Sequence, residues 1–591
     1  MAKVVNFGFD TIKDASSALS SSIRSGFGTN FQHTVISTST GRVLITNQGI
    51  QILKVLELKS PIYEFVMTHI RAYYDKFGDC TKSFLLLLNE LLIQVAHLSG
   101  NPTSFSYFQE KDRVAQRVKL CQEIDLILAH TLNHLFTLVS QYCLVSDMAL
   151  VTHDSSHHIV NLIVGYLKTH LADQEAFYLG SLSVQLIEAW RKCKTFSSVD
   201  SVVHHLLKNK NYILHENVGQ SLSASALFPG YLLSRGFCRF ERLQNSKISV
   251  NEGRFVLLSC PLDSDATDGD NIAEYSLHDN EGIDAALCHK RVRASKFLEL
   301  ITRLGVQLII SVYQLSTTDK DLCQQSNMHV IHSLPEDELE FLSRSCNKAI
   351  VYDINDLAID NVCPFSKCNE ITFGTVIYSH LIPKDAPGVH TLVLGAPTEG
   401  IAHQLKDLIS SSLKAVRSSL VSRDETQWMN ANIQSGMFSS SSKNSSTGVT
   451  RSRISKVLSK SYNSTDPPPE YLCTIAVGGT FELVLHHIID KHLQELSVIS
   501  HGVTMLTILR DSLLCIPQLL HENAYGPAKP RWLETLTVAK NRLHQGDSVG
   551  VDAVEGTITT HSETESFHSK CQLIVEVLIA LRQFLHLQSA I

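Results

Sequence analysis

The sequence predicts a multidomain α+β protein in which helical segments at the two ends of the chain enclose a mixed α/β segment. Apolar residues recur at helical spacing from Ser60 to Asn217 and again from Tyr471 to Ile591. Between those blocks, beyond a change of texture at Gly219–Gly236, short β-branched runs alternate with helical patterns. At 591 residues, 44% hydrophobic and 18% charged, the chain has the composition of an ordered globular protein and room for about two to four domains.

Taken in order, an amphipathic stretch, Ile12 to Ile23, leads into the loop Gly26–Asn30, and Thr34–Ser37 and Val43–Ile45 read as short strands. Ser60-Pro61 is a helix start: serine caps, and proline suits the first helical position. Ile62, Val66, Ile70 and Tyr73 then share one face. Ser83–Leu98 is apolar nearly all round, so it predicts a central buried helix stopped by Gly100 and Pro102. A further helix is expected from Arg113 to Val145, and residues 149–217 read as helical but more polar.

Strands are expected at Phe255–Cys260, Val306–Tyr313, Val330–Ile331, Ala349–Tyr352 and Thr391–Leu394. Helices are expected before Leu304-Gly305, around Asp319–Gln325 and over Pro335–Cys346. Helix returns over Ile401–Val421. Residues 430–469, rich in serine and ending in Pro467-Pro468-Pro469, predict a flexible insertion. The last block has a glycine turn at Gly478-Gly479, a helix from Glu482 and a C-terminal helix, Lys570 to Leu587.

Several function classes find no support. The net charge of −7 gives no reason to expect nucleic acid or an anionic membrane as partner. The fourteen cysteines include no CxxC, which fits reduced thiols in an intracellular protein. The apolar runs Phe84–Val95 and Leu573–Leu581 are too short to span a bilayer, and the N-terminus has no long apolar core, so a soluble intracellular protein without membrane insertion is expected. The pairs His130/His134 and His153/His157 have the i, i+4 spacing of metal ligands. The first lacks an acid between its histidines, and the second, His153-Asp154-Ser155-Ser156-His157, is a polar segment whose acid is one methylene short of the glutamate in H-E-x-x-H. The acidic run 263–271 lacks the spacing and closing glutamate of a calcium loop.

The stretch with chemical content is ITNQG at 45–49 followed, after one helix, by GDCTK at 78–82. Two glycine turns so spaced bring backbone N–H groups and one carboxylate to a shared site, as a nucleotide phosphate with its metal requires. These segments resemble the ITNDG and GDGTT motifs of the group II (TCP-type) chaperonins. Gly28-Thr29-Asn30-Phe31 stands in the place of that family's first phosphate loop, and Ile516–Ala524 and Gly550-Val551-Asp552 followed by Gly556 match further family segments.

The resemblance implies a group II chaperonin fold: a helical equatorial domain (1–148 and 409–591), a small intermediate domain (149–217 and 368–408) and an inserted α/β apical domain (218–367). Where the family bears a helical lid, this chain has the acidic loop 263–271 and a basic helix, His289–Lys296. It also implies an ATP site with magnesium, nucleotide-binding at Gly28, Asn47, Gly49, Gly78, Asp79, Thr81, Gly478 and Gly479, with Asp79 as the metal ligand.

Three family acids are replaced, by Gln48, Ser411 and Thr560. An amide or hydroxyl carries no charge and cannot serve as a base, and lost acid–base groups cost about 10²–10⁴-fold each. Efficient ATP turnover is therefore not expected. Lys82 reads as a solvated lysine at a helix start; the competing reading gives its charge to a phosphate.

Val477–Glu482, Val393–Pro397 and Ser512–Pro517 are similar to a divergent branch, the Bardet–Biedl syndrome chaperonin-like proteins. That branch implies a chaperone for assembly of the BBSome, supporting the cilium. Its implied partners are BBSome subunits, sister chaperonin-like proteins and the TCP-type ring, and its location is the cytoplasm and the ciliary base or centrosome. The alternative is an ATP-hydrolysing subunit of a TCP-type folding chamber.

Overall fold

The structure, a computed structural model, describes residues 9–28, 34–37, 43–56, 61–99, 108–148, 153–193, 196, 198–239, 248–261, 280–353, 356–386, 388–422, 470–495, 502–526 and 529–589. The expectations for Thr29, Asn30 and Phe31, Ser60, Gly100 and Pro102, the acidic loop 263–271 and the insertion 430–469 lie outside these residues. The fold is the α+β multidomain arrangement expected. It comprises two compact units, Met1–Gly180 with Leu408–Ile591, and Ser181–Asp407.

The first unit is built around the helix Thr81–Ser99, in which Phe84, Leu85, Leu87, Leu88, Leu91, Leu92 and Val95 are wholly buried. Side chains apolar on every face leave such a helix no stable place except the centre of a core. The helices Phe9–Arg24, Val503–Leu513 and Phe567–Ser589 pack against it. Pro61–Phe77 buries Ile62, Val66, Ile70 and Tyr73, the predicted face. Removing one of these core leucines to alanine would cost about 2–5 kcal/mol.

The strand Glu470–Ala476 pairs with Leu144–Asp147, Leu420–Ser422 and Thr564–Ser566. The helix expected from Arg113 to Val145 therefore ends earlier. Phe108–Leu126 runs through a π-turn, Ile127–Thr131, into Leu132–Val139 and a 3₁₀ turn at Ser140–Tyr142, and Leu144–Asp147 is extended. Pairing with residues more than 300 positions away overrides the local pattern there. His130 sits in the π-turn, and His153–Leu167 is a helix, in line with the helical reading of 149–217. Among the described residues no group of three or more His, Cys, Asp or Glu side chains is placed to hold a metal ion.

The stretch Val503–Asn523 is long and apolar enough to cross a membrane by composition, which the run-by-run reading passed over. Here it forms two helices, Val503–Leu513 and Cys515–Asn523, with Met505, Leu509 and Leu513 wholly buried.

The second unit contains a six-stranded sheet in the order Tyr231–Leu233, Val376–Pro383, Cys363–Phe373, Ser249–Leu258, Leu308–Ser311, His329–Ile331. The last three strands are parallel, joined through the helices Asn280–Arg303 and Thr317–Gln325, which realises the predicted βαβ rhythm. A three-stranded sheet orders Leu214–Val218, His390–Ala396 and Ala226–Pro229.

Two readings of this unit need correction. Ala349–Tyr352 makes only an isolated bridge, Val351 to Leu258. The antiparallel hairpin of Cys363–Phe373 and Val376–Pro383 was not predicted, since Pro364, Lys367 and Asn369 interrupt the β-branched pattern.

Candidate functional site

A cavity of about 460 Å³ opens in the first unit. Gly28, Gly49, Gly78, Asp79, Thr81, Gly478 and Gly479 all line it, as does Gln48. Segments hundreds of residues apart thus converge as the motif spacing suggested. Asn47 is the exception among the predicted binding residues. It does not line the cavity but hydrogen-bonds His170, which does, Oδ1 to Nδ1 at 2.8 Å, with its Nδ2 donating to the His170 carbonyl at 3.4 Å.

The first wall comes from two turns. Strand Val43–Thr46 ends and helix Gly49–Val55 begins at Gln48, whose N–H donates to Thr46 Oγ1 at 3.1 Å. Gln48 is 5% exposed, and its side-chain Oε1 has no partner. Gly78 has φ +78°, and a Cβ there would stand 2.7 Å from the Ser411 carbonyl, so this turn requires glycine twice over. Asp79 Oδ1 accepts from the Cys80 N–H at 2.6 Å. Cys80, where the motif has glycine, keeps a left-handed φ of +64°.

The second wall is the turn Gly478-Gly479 before helix Thr480–Glu495, closed by Val551 N–H donating to the Gly478 carbonyl at 2.8 Å. A Cβ on Gly478 would lie 2.5 Å from His561 Nε2 and 2.7 Å from the Val551 carbonyl.

The replaced acids do not stand in the cavity together. Gln48 lines it, but Ser411 is 2% exposed behind the Gly78 turn, where its hydroxyl shares a 2.8 Å hydrogen bond with Tyr74. Thr560 is exposed and does not line the cavity, whereas the neighbouring His561 and Glu563 do.

The family-model comparison matches residues 19–424 to the TCP-1/cpn60 chaperonin family. The chain belongs to that family. It is 20% identical over 587 residues to the T-complex protein 1 subunit gamma of Encephalitozoon cuniculi, covering 98% of this chain and 94% of that one. It is 18% identical over 426 residues to the thermosome subunit beta of Thermoplasma acidophilum, covering 70% of each chain. The thermosome subunit beta of Desulfurococcus mucosus is 22% identical over 413 residues, 69% of this chain and 74% of that protein.

Within this chaperonin chain, the sequence reading missed a buried ion group in the second wall. Lys570, on the C-terminal helix, is 3.0 Å from both Glu482 and Glu565. Glu482 is fully buried and Glu565 mostly so. Burial pushes the Glu565 carboxyl up to about 7 against the pull of Lys570. Burial alone would depress the Lys570 ammonium, but its two carboxylates outweigh that and hold it well above the usual lysine range. A lysine inside an apolar helix was the available clue.

Nearby, Lys168 pairs with Glu563 at 2.7 Å. Burial works against the Glu563 charge, yet Lys168 holds its carboxyl below the ordinary range.

Lys82 is the second correction. It is not a solvated lysine: it lines the cavity, its stem crosses directly over Gly49, and its ammonium donates to the Gly26 carbonyl. Burial lowers it to about 8, with Asp79 opposing. Burial likewise raises Asp79, which is then drawn down by the Cys80 N–H, Lys570 and Lys82.

Asp79 is the carboxylate that the first wall offers a divalent cation: its Oδ1 accepts from the Cys80 N–H, and magnesium is ordinarily held through one or two carboxylates together with phosphate oxygens.

Proposed function

We propose that this chain is a chaperonin-like chaperone whose cavity retains a nucleotide without efficient turnover. The observation that carries this reading is the convergence of the glycine turns on one cavity from which the replaced acids are missing. Gln48 supplies a neutral oxygen, Ser411 is turned to Tyr74, and Thr560 is exposed. Phosphoryl transfer depends on positioned charge and a base for water, and both are depleted here.

In this reading the first unit holds the equatorial segments 1–148 and 409–591, with 149–217 and 368–408 intermediate and 218–367 apical. The similarity of Val477–Glu482, Val393–Pro397 and Ser512–Pro517 to the Bardet–Biedl syndrome 10 chaperonin-like protein supports a role in BBSome assembly and cilium formation. The chain would act with sister chaperonin-like proteins and the TCP-type ring, in the cytoplasm and at the ciliary base or centrosome. The second reading, an ATP-hydrolysing folding-chamber subunit, draws on Asp79, which remains in the cavity.

Phosphate release by the purified protein separates the two. The proposal expects release indistinguishable from buffer. Steady release abolished by Asp79→Ala would establish the second reading instead. Recovery of BBSome subunits and TCP-type subunits with the tagged chain from ciliated cells tests the assembly role.

A further inference from the structure

Asn47 spends both ends of its side-chain amide on His170. Its Nδ2 donates to the His170 carbonyl at 3.4 Å, which fixes the orientation of the amide, and its Oδ1 lies 2.8 Å from His170 Nδ1. A carbonyl oxygen only accepts, so Nδ1 must carry the ring proton there. The neutral ring is thereby held with Nε2 as its acceptor, and protonation turns Nε2 into a second donor and adds a charge. Asn47 is 6% exposed and precedes Gln48-Gly49, the turn of the first wall, so the ring it holds stands beside that turn. His170 lies in the turn that ends helix His153–Leu167, its N–H donating to the Leu167 carbonyl at 2.9 Å, with the Tyr166 ring centred 5.4 Å away.

The surrounding charges make a proton on this ring count. Lys168, two residues before it, is matched by Glu563 at 2.7 Å and Asp173 at 3.7 Å. Elsewhere on the lining, among the described residues, Asp79, Asp552 and Glu565 stand against Lys82 and Lys570. His561, the other histidine of the lining, is set against the Gly478 turn, and burial favours its neutral form. A phosphate ligand entering a lining richer in carboxylates than in ammonium groups gains from each further positive charge, from magnesium and from an imidazolium alike.

We infer that His170 is a proton-operated contact for the ligand's phosphates and that Asn47 is its positioning residue, so that the cavity holds a nucleotide more tightly when the imidazole is protonated. This rests on the reading that the cavity holds a nucleotide. In the imidazolium the Nδ1–H stays on Asn47 while the Nε2–H donates to a phosphate oxygen, a charge-assisted bond of the strong kind. Loss of the proton leaves a lone pair on Nε2, an acceptor set against an anion.

The test uses the full-length protein in magnesium and a fluorescent N-methylanthraniloyl-ADP probe, titrated from about pH 8 to about pH 6, where histidine changes charge. The probe's own terminal phosphate titrates in the same range, so each profile is read against that of His170→Gln in the same buffers. Relative to His170→Gln, the wild type is expected to gain about fivefold in affinity between the alkaline and the acid end. His170→Lys carries a permanent charge and should bind tightly at both ends. Asn47→Asp sets a carboxylate on Nδ1 and should move the wild-type profile to higher pH, which a merely structural asparagine would not do. The unliganded thermal midpoint of each variant reports its folding. Calorimetry of probe binding to the wild type in two buffers of different ionisation enthalpy, at about pH 7, needs no variant and is expected to show net proton uptake.

A wild-type profile parallel to that of His170→Gln overturns this inference while leaving the nucleotide reading intact. Binding without net proton uptake does the same. Absence of probe binding at every pH removes the nucleotide reading, and this inference with it.

Discussion

The two walls of the cavity handle buried charge differently. In the wall formed by Gly478-Gly479 and the C-terminal helix, Lys570 is flanked at 3.0 Å by Glu482 and Glu565, and Lys168 is matched by Glu563 at 2.7 Å. In the wall formed by Gln48-Gly49 and Gly78–Lys82, the ammonium of Lys82 rests on a carbonyl at the positive end of a helix. The first arrangement gives each ammonium carboxylates at ion-pair distance. The second gives Lys82 a carbonyl, with Asp79 as its charge partner, and it lies where the replaced residues Gln48, Cys80 and Lys82 are found. Stability is therefore expected to reside in the second wall and ligand recognition in the first.

Removing each lysine is the sharpest way to break that comparison. Lys570→Met strands the fully buried Glu482, and stranding a buried charge costs about 3–5 kcal/mol. Lys82→Met removes a cation from a helix N-terminus and is expected to change stability by less than about 1 kcal/mol. Urea unfolding of both variants checks this, and equal losses would show that the walls do not differ.

Glycine replacement comes next in size. Gly78→Ala combines a left-handed φ with a contact on the Ser411 backbone and is expected to cost about 2–4 kcal/mol. A Cβ at Gly49 would stand 2.8 Å from Lys82 Cγ and 3.5 Å from Thr81 Cγ2, so Gly49→Ala must displace the base of the Lys82 side chain and is expected to cost about 1–3 kcal/mol, less than Gly78→Ala.

A smaller effect concerns pH. Glu565 has its folded value raised to about 7, so it favours the protonated form in the folded state. That contribution is fully present below its unfolded value near 4.5 and is lost as pH rises through about 7, at no more than ~1.4 kcal/mol per pH unit. Relative to Glu565→Gln, the wild type should lose stability between those limits and run parallel above them. Unfolding midpoints of the pair from pH 5 to pH 8 (roughly the window where this carboxyl titrates) measure it. A wild-type advantage that grows with pH would show that Lys570 holds the carboxylate charged instead.

The turns of the site were legible in the sequence because their demands are local. Gly78 must be glycine for its own φ, and Thr81–Ser99 announces a central helix by being apolar on every face. Lys570 was legible only as a lysine inside an apolar helix: its partner Glu482 lies 88 residues away, so no local window joins the two. The overlong helix at Arg113–Val145 has the same origin. Residues Leu144–Asp147 become a strand through partners at Tyr471–Thr474 that no local window contains. The state of Lys82 was misread because a charged residue at a helix start is ordinarily solvated, and its burial depends on Gly26 and Gly49 arriving from elsewhere.

The strand Glu470–Ala476 sets an order on biogenesis. Its three partners come from Leu144–Asp147, Leu420–Ser422 and Thr564–Ser566, so that sheet cannot finish until the ribosome has passed residue 566. Residues Ser181–Asp407 form a compact unit of their own and are complete long before then. During synthesis the N-terminal helices must wait with apolar faces uncovered, a state in which nascent chains recruit chaperones and are prone to aggregate. A premature stop shortly before Thr564 should therefore leave the inserted unit protease-resistant while the N-terminal portion, although fully translated, stays susceptible.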